Sequence, residues 1–110
     1  MLSGAATVTE EDFGSIRAFD WDDNKRRANV IKHGIDFDDA KDVFYDPAAY
    51  TFVSSRAVSE RRYVTVGSMR GTLVAVIFTR RGQAIRIISA RPARRSEKQL
   101  YGAKIKSETR

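Results

Sequence analysis

The sequence predicts an α+β fold: two short N-terminal helices, then a small, mostly antiparallel sheet, then a C-terminal helix, the architecture of a single domain. Three observations carry this expectation. Apolar residues between Trp21 and Phe44 recur at helical spacing on either side of a glycine stop. From Tyr63 to Ala90 the period changes to that of strands, in β-branched and aromatic runs broken by "SMRG" and "TRRGQ". The two patterns are segregated along the chain rather than alternating, which favours antiparallel pairing over repeated crossovers. At 110 residues, the chain is long enough for one core and too short for two.

Residues 1–17, "MLSGAATVTEEDFGSIR", have no clear period and are rich in small and acidic residues, so they read as a flexible leader before a domain spanning 18–110. "AFDWD" is a short strand or extended lead-in to Asp22, which is placed to cap a helix running to Lys32 or His33. Gly34 ends that helix, with Val30 and Ile35 at the C3 and C″ positions of a Schellman motif. Asp36 caps a second helix carrying Phe37, Ala40, Val43 and Phe44 on one face, until Asp46-Pro47 breaks it.

"YTFVS" is a weaker strand candidate; "YVTVG", "TLVAVIF" and "AIRIISA" are strong ones, the second apolar on both faces as a central strand would be. The order is therefore α-α-β-β-β-α. Pro92 closes the last strong strand, and "ARRSEKQLYGAKIK" forms a final helix with Ala93, Glu97, Leu100 and Tyr101 at helical intervals, which Gly102 is placed to cut short.

Composition removes several function classes. There is no cysteine, hence no disulfide, thiolate nucleophile or Cys-ligated zinc, in keeping with a reducing, cytoplasmic setting. The longest apolar run, "LVAVIF", is far too short to cross a bilayer, and no export signal is read at the N-terminus. Asp20, Asp22 and Asp23 form the only dense acidic group near a histidine, but helix capping accounts for two of them, so no metal site and no cofactor is assigned. Of the net charge of +6, the last twenty residues hold +5, from seven cations against two acids. That asymmetry fits a polyanion or an acidic protein partner, and equally a solvated basic helix.

If Gly82-Gln83 is a two-residue hairpin loop, Arg81 opposes Ala84 and Thr79 opposes Arg86, so that Arg81, Thr79 and Arg86 share one face. Two guanidiniums on one patch repel unless an anion lies between them, and a phosphate fits their planar forks. The alternative is that they pair with acids such as Asp42 or Glu60. His33, the only histidine, stands at a helix C-terminus, where the dipole favours a proton and Lys32 opposes it. A histidine there is a capping residue as readily as a catalyst, and Lys25 in the first turn is as readily a solvated cation as a functional one.

The stretches "FDWDDNKRRANVIKHGIDFDDAKDVFYDP" and "RYVTVGSMRGTLVAVIFTRRGQAIRIISARPARRSEKQLY" resemble the BrnT family of type II toxin–antitoxin ribonuclease toxins, over Phe19 to Tyr101. The specific parts are "WD..K...N..KHGI.F..A..VF.DP" and "RIISAR.A...E...Y", in order and at the right spacing. The leader, Arg80 and Pro92 depart from the family pattern. The resemblance implies a RelE-like fold, metal-independent RNA cleavage that inhibits translation, and neutralisation by a cognate antitoxin, with operator DNA engaged only through the antitoxin complex. Carried over by motif, His33, Arg81, Arg86 and Lys25 are the candidate catalytic residues, and Lys32, Ser89, Arg91 and Arg94 the candidate substrate-binding residues. The competing class is a non-catalytic basic module that binds nucleic acid or protein, including a degenerate toxin that only engages its antitoxin.

Overall fold

The helix stop at Gly34 and the edge of the sheet together decide where the candidate residues lie. The computed structural model describes residues 7–8, 18–55 and 59–108. Strands β1 (Thr7–Val8), β2 (Ala18–Trp21), β3 (Tyr50–Val53), β4 (Tyr63–Met69), β5 (Thr72–Arg81) and β6 (Ala84–Pro92) form one sheet in the order β1-β3-β4-β5-β6-β2. The helices are α1 (Asp23–His33), α2 (Phe37–Ala40), which continues as a 3-10 turn over Lys41–Tyr45, and α3 (Arg95–Glu108). The leader expected over residues 1–17 lies outside the described residues except for Thr7–Val8, which pairs antiparallel with β3.

The sheet is mostly antiparallel, as expected, but it is mixed. The lead-in "AFDW" is a true strand, and β2 pairs parallel to β6 with Asp20 opposite Arg86. A parallel neighbour requires a crossover, which the helices and the central strands supply between β2 and β6. The second helix is a single α turn tightened into 3-10 geometry, though Phe37, Ala40 and Val43 are all fully buried, as the spacing anticipates.

Asp22 caps α1 by accepting from the Lys25 amide at 3.0 Å. Gly34 takes the left-handed conformation, φ 70°, that a side chain would strain, and its amide donates to the Val30 carbonyl at 2.8 Å. That single bond is the simpler αL stop rather than the expected Schellman pair. Ile35 turns into the core while Val30 stays largely exposed. Arg26 then clamps Asp36 through two bonds, 2.8 and 2.9 Å, so the angle between α1 and α2 is fixed from both sides of the glycine.

One sheet face carries the main core: Val74, Val76, Phe78, Ile85, Ile87 and Ala90 against Ile35, Phe37, Ala40 and Val43. Trp21 sits edge-on to Phe37 and Phe44 edge-on to Phe78, sealing the β2 side. The other face holds a smaller cluster, Val64, Val66, Ala75 and Ala93. Here α3 is tied to the loop before β3 and to β3 itself: Tyr101 donates to Asp46 at 2.6 Å, Lys104 to the Ala49 carbonyl at 2.6 Å, and Tyr50 to the Glu97 carbonyl at 2.9 Å. These anchors flank Gly102, and α3 runs through it to Glu108 rather than ending early.

Candidate catalytic site

The β5–β6 hairpin turns at Gly82-Gln83 with Arg81 opposite Ala84 and Thr79 opposite Arg86, the register expected from the sequence. Arg81, Thr79 and Arg86 therefore share the face away from the main core. Further along β6 a bulge intervenes: Phe78 pairs with Ile87 and Ile77 with Ser89, leaving Ile88 unpaired. One extra residue reverses the alternation, so Ser89 and Arg91 join Arg86 on that face although their numbers have the opposite parity.

Sharing a face does not leave the guanidiniums unpartnered. Arg86 is bound by Asp20, its cross-strand neighbour on β2, and Arg81 is 3.9 Å from Glu60. Glu60 is one of the two acids foreseen as alternative partners; the other, Asp42, faces Arg70 instead. Both carboxylates are more than half exposed, so water screens these pairs. Thr79 is buried on the same face, and its Oγ1 has no hydrogen-bond partner among the described residues.

Arg91 differs. Its guanidinium meets the Glu97 carboxylate at 2.8 and 2.9 Å, and Glu97 is only 6% exposed. Glu97 also accepts from the Arg94 amide at 2.8 Å, which is the acidic half of a capping box at the start of α3. Burial pushes the Glu97 carboxyl up, but the bonds from Arg91 and Arg94 outweigh it and hold the group below its usual value. Arg91 is thereby occupied in joining β6 to α3, while the Arg94 side chain is exposed.

The other candidates come from α1. Lys25, Lys32 and His33 lie at intervals of seven and eight residues, which on a 3.6-residue helix is one stripe. Asn29 belongs to the same stripe and is the member that touches the sheet. It stands at the stretch of β6 beyond the reach of β2, whose pairing ends at Trp21 opposite Ile87. Its Nδ2 donates to the carbonyls of Ala90 and Ile35, at 2.8 and 2.9 Å, and its Oδ1 accepts from the Ala90 amide at 3.1 Å and the Ser89 hydroxyl at 3.4 Å. A side-chain amide thus replaces the missing strand.

Lys25 and Lys32 are exposed, and neither forms an ion pair among the described residues. His33 is half-buried, and its side chain makes no hydrogen bond with the described residues. Two groups of candidates result: Lys25, Lys32 and His33 on the side of α1 from which Asn29 reaches Ser89, and Arg81 with Arg86 on the hairpin behind exposed acids. Asn29 lay within the quoted motif without an assigned role, and Asp46 read only as a helix breaker. In the fold Asp46 accepts from the amides of Ala48 and Ser68 and from the Tyr101 hydroxyl. Among the described residues no group of three or more His, Asp or Glu is placed to hold a metal ion, and no helix is long and apolar enough to cross a membrane.

A family model described as "Ribonuclease toxin, BrnT, of type II toxin-antitoxin system" matches residues 21–97, a span that includes every candidate above. Among solved structures, the chain is similar to the Brucella abortus ribonuclease toxin BrnT, a 1.1 Å crystal structure, with 32% sequence identity and a TM-score of 0.55, over 71% of this chain and 97% of that one. No curated protein matches.

Proposed function

Since the chain belongs to the BrnT family of type II toxin–antitoxin ribonuclease toxins, we propose that its catalytic centre is the cationic surface where α1 meets β6. The reading includes metal-independent cleavage of RNA, a consequent block of translation, and neutralisation by a cognate antitoxin. Operator DNA is reached through the antitoxin complex, and the setting is the cytoplasm, where RNA and antitoxin are made. A RelE-like kinship of the fold belongs to the same reading.

Cleavage without a metal needs a base for the 2′-hydroxyl proton, an acid for the 5′-oxygen that leaves, and cations for the charge gathering on phosphorus. The 2′-oxygen bonds to phosphorus as the P–O5′ bond breaks, leaving a cyclic phosphate and a protonated 5′-hydroxyl. His33 is assigned the base or the acid, with Lys25 and Lys32 on its helix face to steer the strand and stabilise charge. Arg81 and Arg86 grip a phosphate after exchanging Glu60 and Asp20 for it, and Ser89 and Arg94 extend the contact surface. The substrate-binding role of Arg91 is given up in this reading, because Glu97 already holds its guanidinium.

The observation that carries the proposal is the family match across 21–97, which contains both candidate groups. Induced expression should arrest growth, relieved by co-expression of the antitoxin, and the purified chain should cut single-stranded RNA in chelator. The acid-paired states of Arg81, Arg86 and Arg91 favour a second reading, a family member that engages its antitoxin without cutting. Antitoxin binding with no RNA turnover by purified protein would establish that reading instead.

A further inference from the structure

We propose that Asn29 is a positioning residue that sets His33 and Ser89 in register with each other, an inference that rests on the catalytic reading of His33 above. The geometry is unusual in its completeness. Both Nδ2 hydrogens and both Oδ1 lone pairs are engaged, and the four partner atoms belong to three residues on two segments: Ile35 after the helix stop, and Ser89 and Ala90 on β6. Asn29 is itself 6% exposed, and its three bonds to the Ile35 and Ala90 backbone form where water does not compete, while the Ser89 bond is part-buried.

Asn29 therefore fixes three things together. It fixes the separation of α1 from β6, because Ala90 is gripped through both its amide and its carbonyl. It fixes the path of the chain after Gly34, through the Ile35 carbonyl, and so the end of the helix from which His33 projects one turn beyond Asn29. It also accepts a hydrogen bond from the Ser89 hydroxyl, at a long 3.4 Å, which leaves that oxygen's lone pairs directed elsewhere. An apolar residue of similar size would fill the volume and lose all three.

The functional consequence follows from the steepness of proton transfer with geometry: a displacement of about 1 Å at a catalytic group can cost about 10²-fold in rate. Substrate binding through exposed Lys25 and Lys32 depends on long, adaptable side chains and tolerates such a shift.

Asn29→Ala and the isosteric Asn29→Asp, which keeps the acceptors but sets oxygen against two carbonyls, are compared with wild type on a fluorescent single-stranded RNA oligonucleotide. Thr51→Val, which removes the Thr51–Thr65 hydroxyl pair elsewhere in the sheet, controls for lost stability. The expected result is a kcat lower by about 10²-fold with KM changed by less than about threefold in both Asn29 variants, at a temperature where all are folded. The single histidine gives a second readout: its imidazole resonances shift in the Asn29 variants and not in Thr51→Val. A kcat loss no larger than that of Thr51→Val, or an unmoved imidazole signal, overturns the proposal. If wild type cuts no RNA, the catalytic reading falls on that result alone, while the imidazole signal still decides whether Asn29 positions His33.

Discussion

The guanidinium of Arg91 and the carboxylate of Glu97 form a two-bond pair, 2.8 and 2.9 Å, in which neither side chain is more than 17% exposed. Removing one member of such a pair leaves a buried charge without its partner. Arg91→Ala should therefore lose about 3 kcal/mol of stability or more, and Arg91→Lys should restore little, because an ammonium cannot make both parallel bonds. Urea midpoints measure this. A midpoint within error of wild type would return Arg91 to the list of RNA contacts.

The same carboxylate gives the protein an acid limit, together with two others. Asp36 is held below its usual range by the Arg26 bonds and the Asp38 amide. Asp46 is raised by burial but brought below that range by the Tyr101 hydroxyl and the amides of Ser68 and Ala48. Groups whose folded values are depressed contribute stability in full above their unfolded values and lose it as pH falls through the folded ones. For Asp36, Asp46 and Glu97 the decline begins near the ordinary carboxylate values, 3.8 and 4.5, and continues below them. Denaturation midpoints measured from pH 7 downward should show this slope, and Asp46→Asn should make it shallower.

Some of these placements were legible in the sequence and others were not. Arg81, Thr79 and Arg86 could be assigned to one face because a two-residue turn fixes register by itself. Ser89 and Arg91 could not, since their place depends on the bulge at Ile88, which has no turn residue to announce it. Glu97 had a local signal, three residues after Arg94, in the acidic half of a capping box. Asn29 and Asp46 had none: one acts because β2 stops at Trp21, the other because Ser68 and Tyr101 arrive from distant segments.

Gly67 lies on β4 over the 3-10 turn, where an added Cβ would stand 3.0 Å from the Val43 carbonyl and 3.1 Å from the side chains of Val43 and Ala49. Two of these neighbours are a backbone atom and a fully buried side chain, with little room to yield. Gly67→Ala should cost about 1–3 kcal/mol, read as a lowered Tm. A Tm unchanged from wild type would mean that the 3-10 turn can move away from the sheet.

His33→Ala should separate chemistry from stability. The side chain is half-buried and makes no bond with the described residues, so Tm should barely change. Loss of the acid or base should lower kcat by about 10²-fold or more. Retention of the full cleavage rate would remove His33 from the mechanism, and Lys25 and Lys32 would be the next residues to substitute.

Asp20 and Arg86 face each other across the parallel β2–β6 ladder, and their exchange for RNA is the step on which the phosphate grip depends. Asp20 is 55% exposed, so parting the pair costs about 1 kcal/mol or less, whereas a phosphate offers the same fork two oxygens and a full charge. Asp20→Asn should therefore lower KM for single-stranded RNA and leave kcat in place. Arg86→Ala should raise KM and reduce the slope of log affinity against log salt by about 0.7, the value for one contact to a single strand. The opposite outcome for Asp20→Asn, weaker binding, would mean that Asp20 orients Arg86 for its substrate rather than competing with it. The phosphate grip would then have to be built on the pair as a unit.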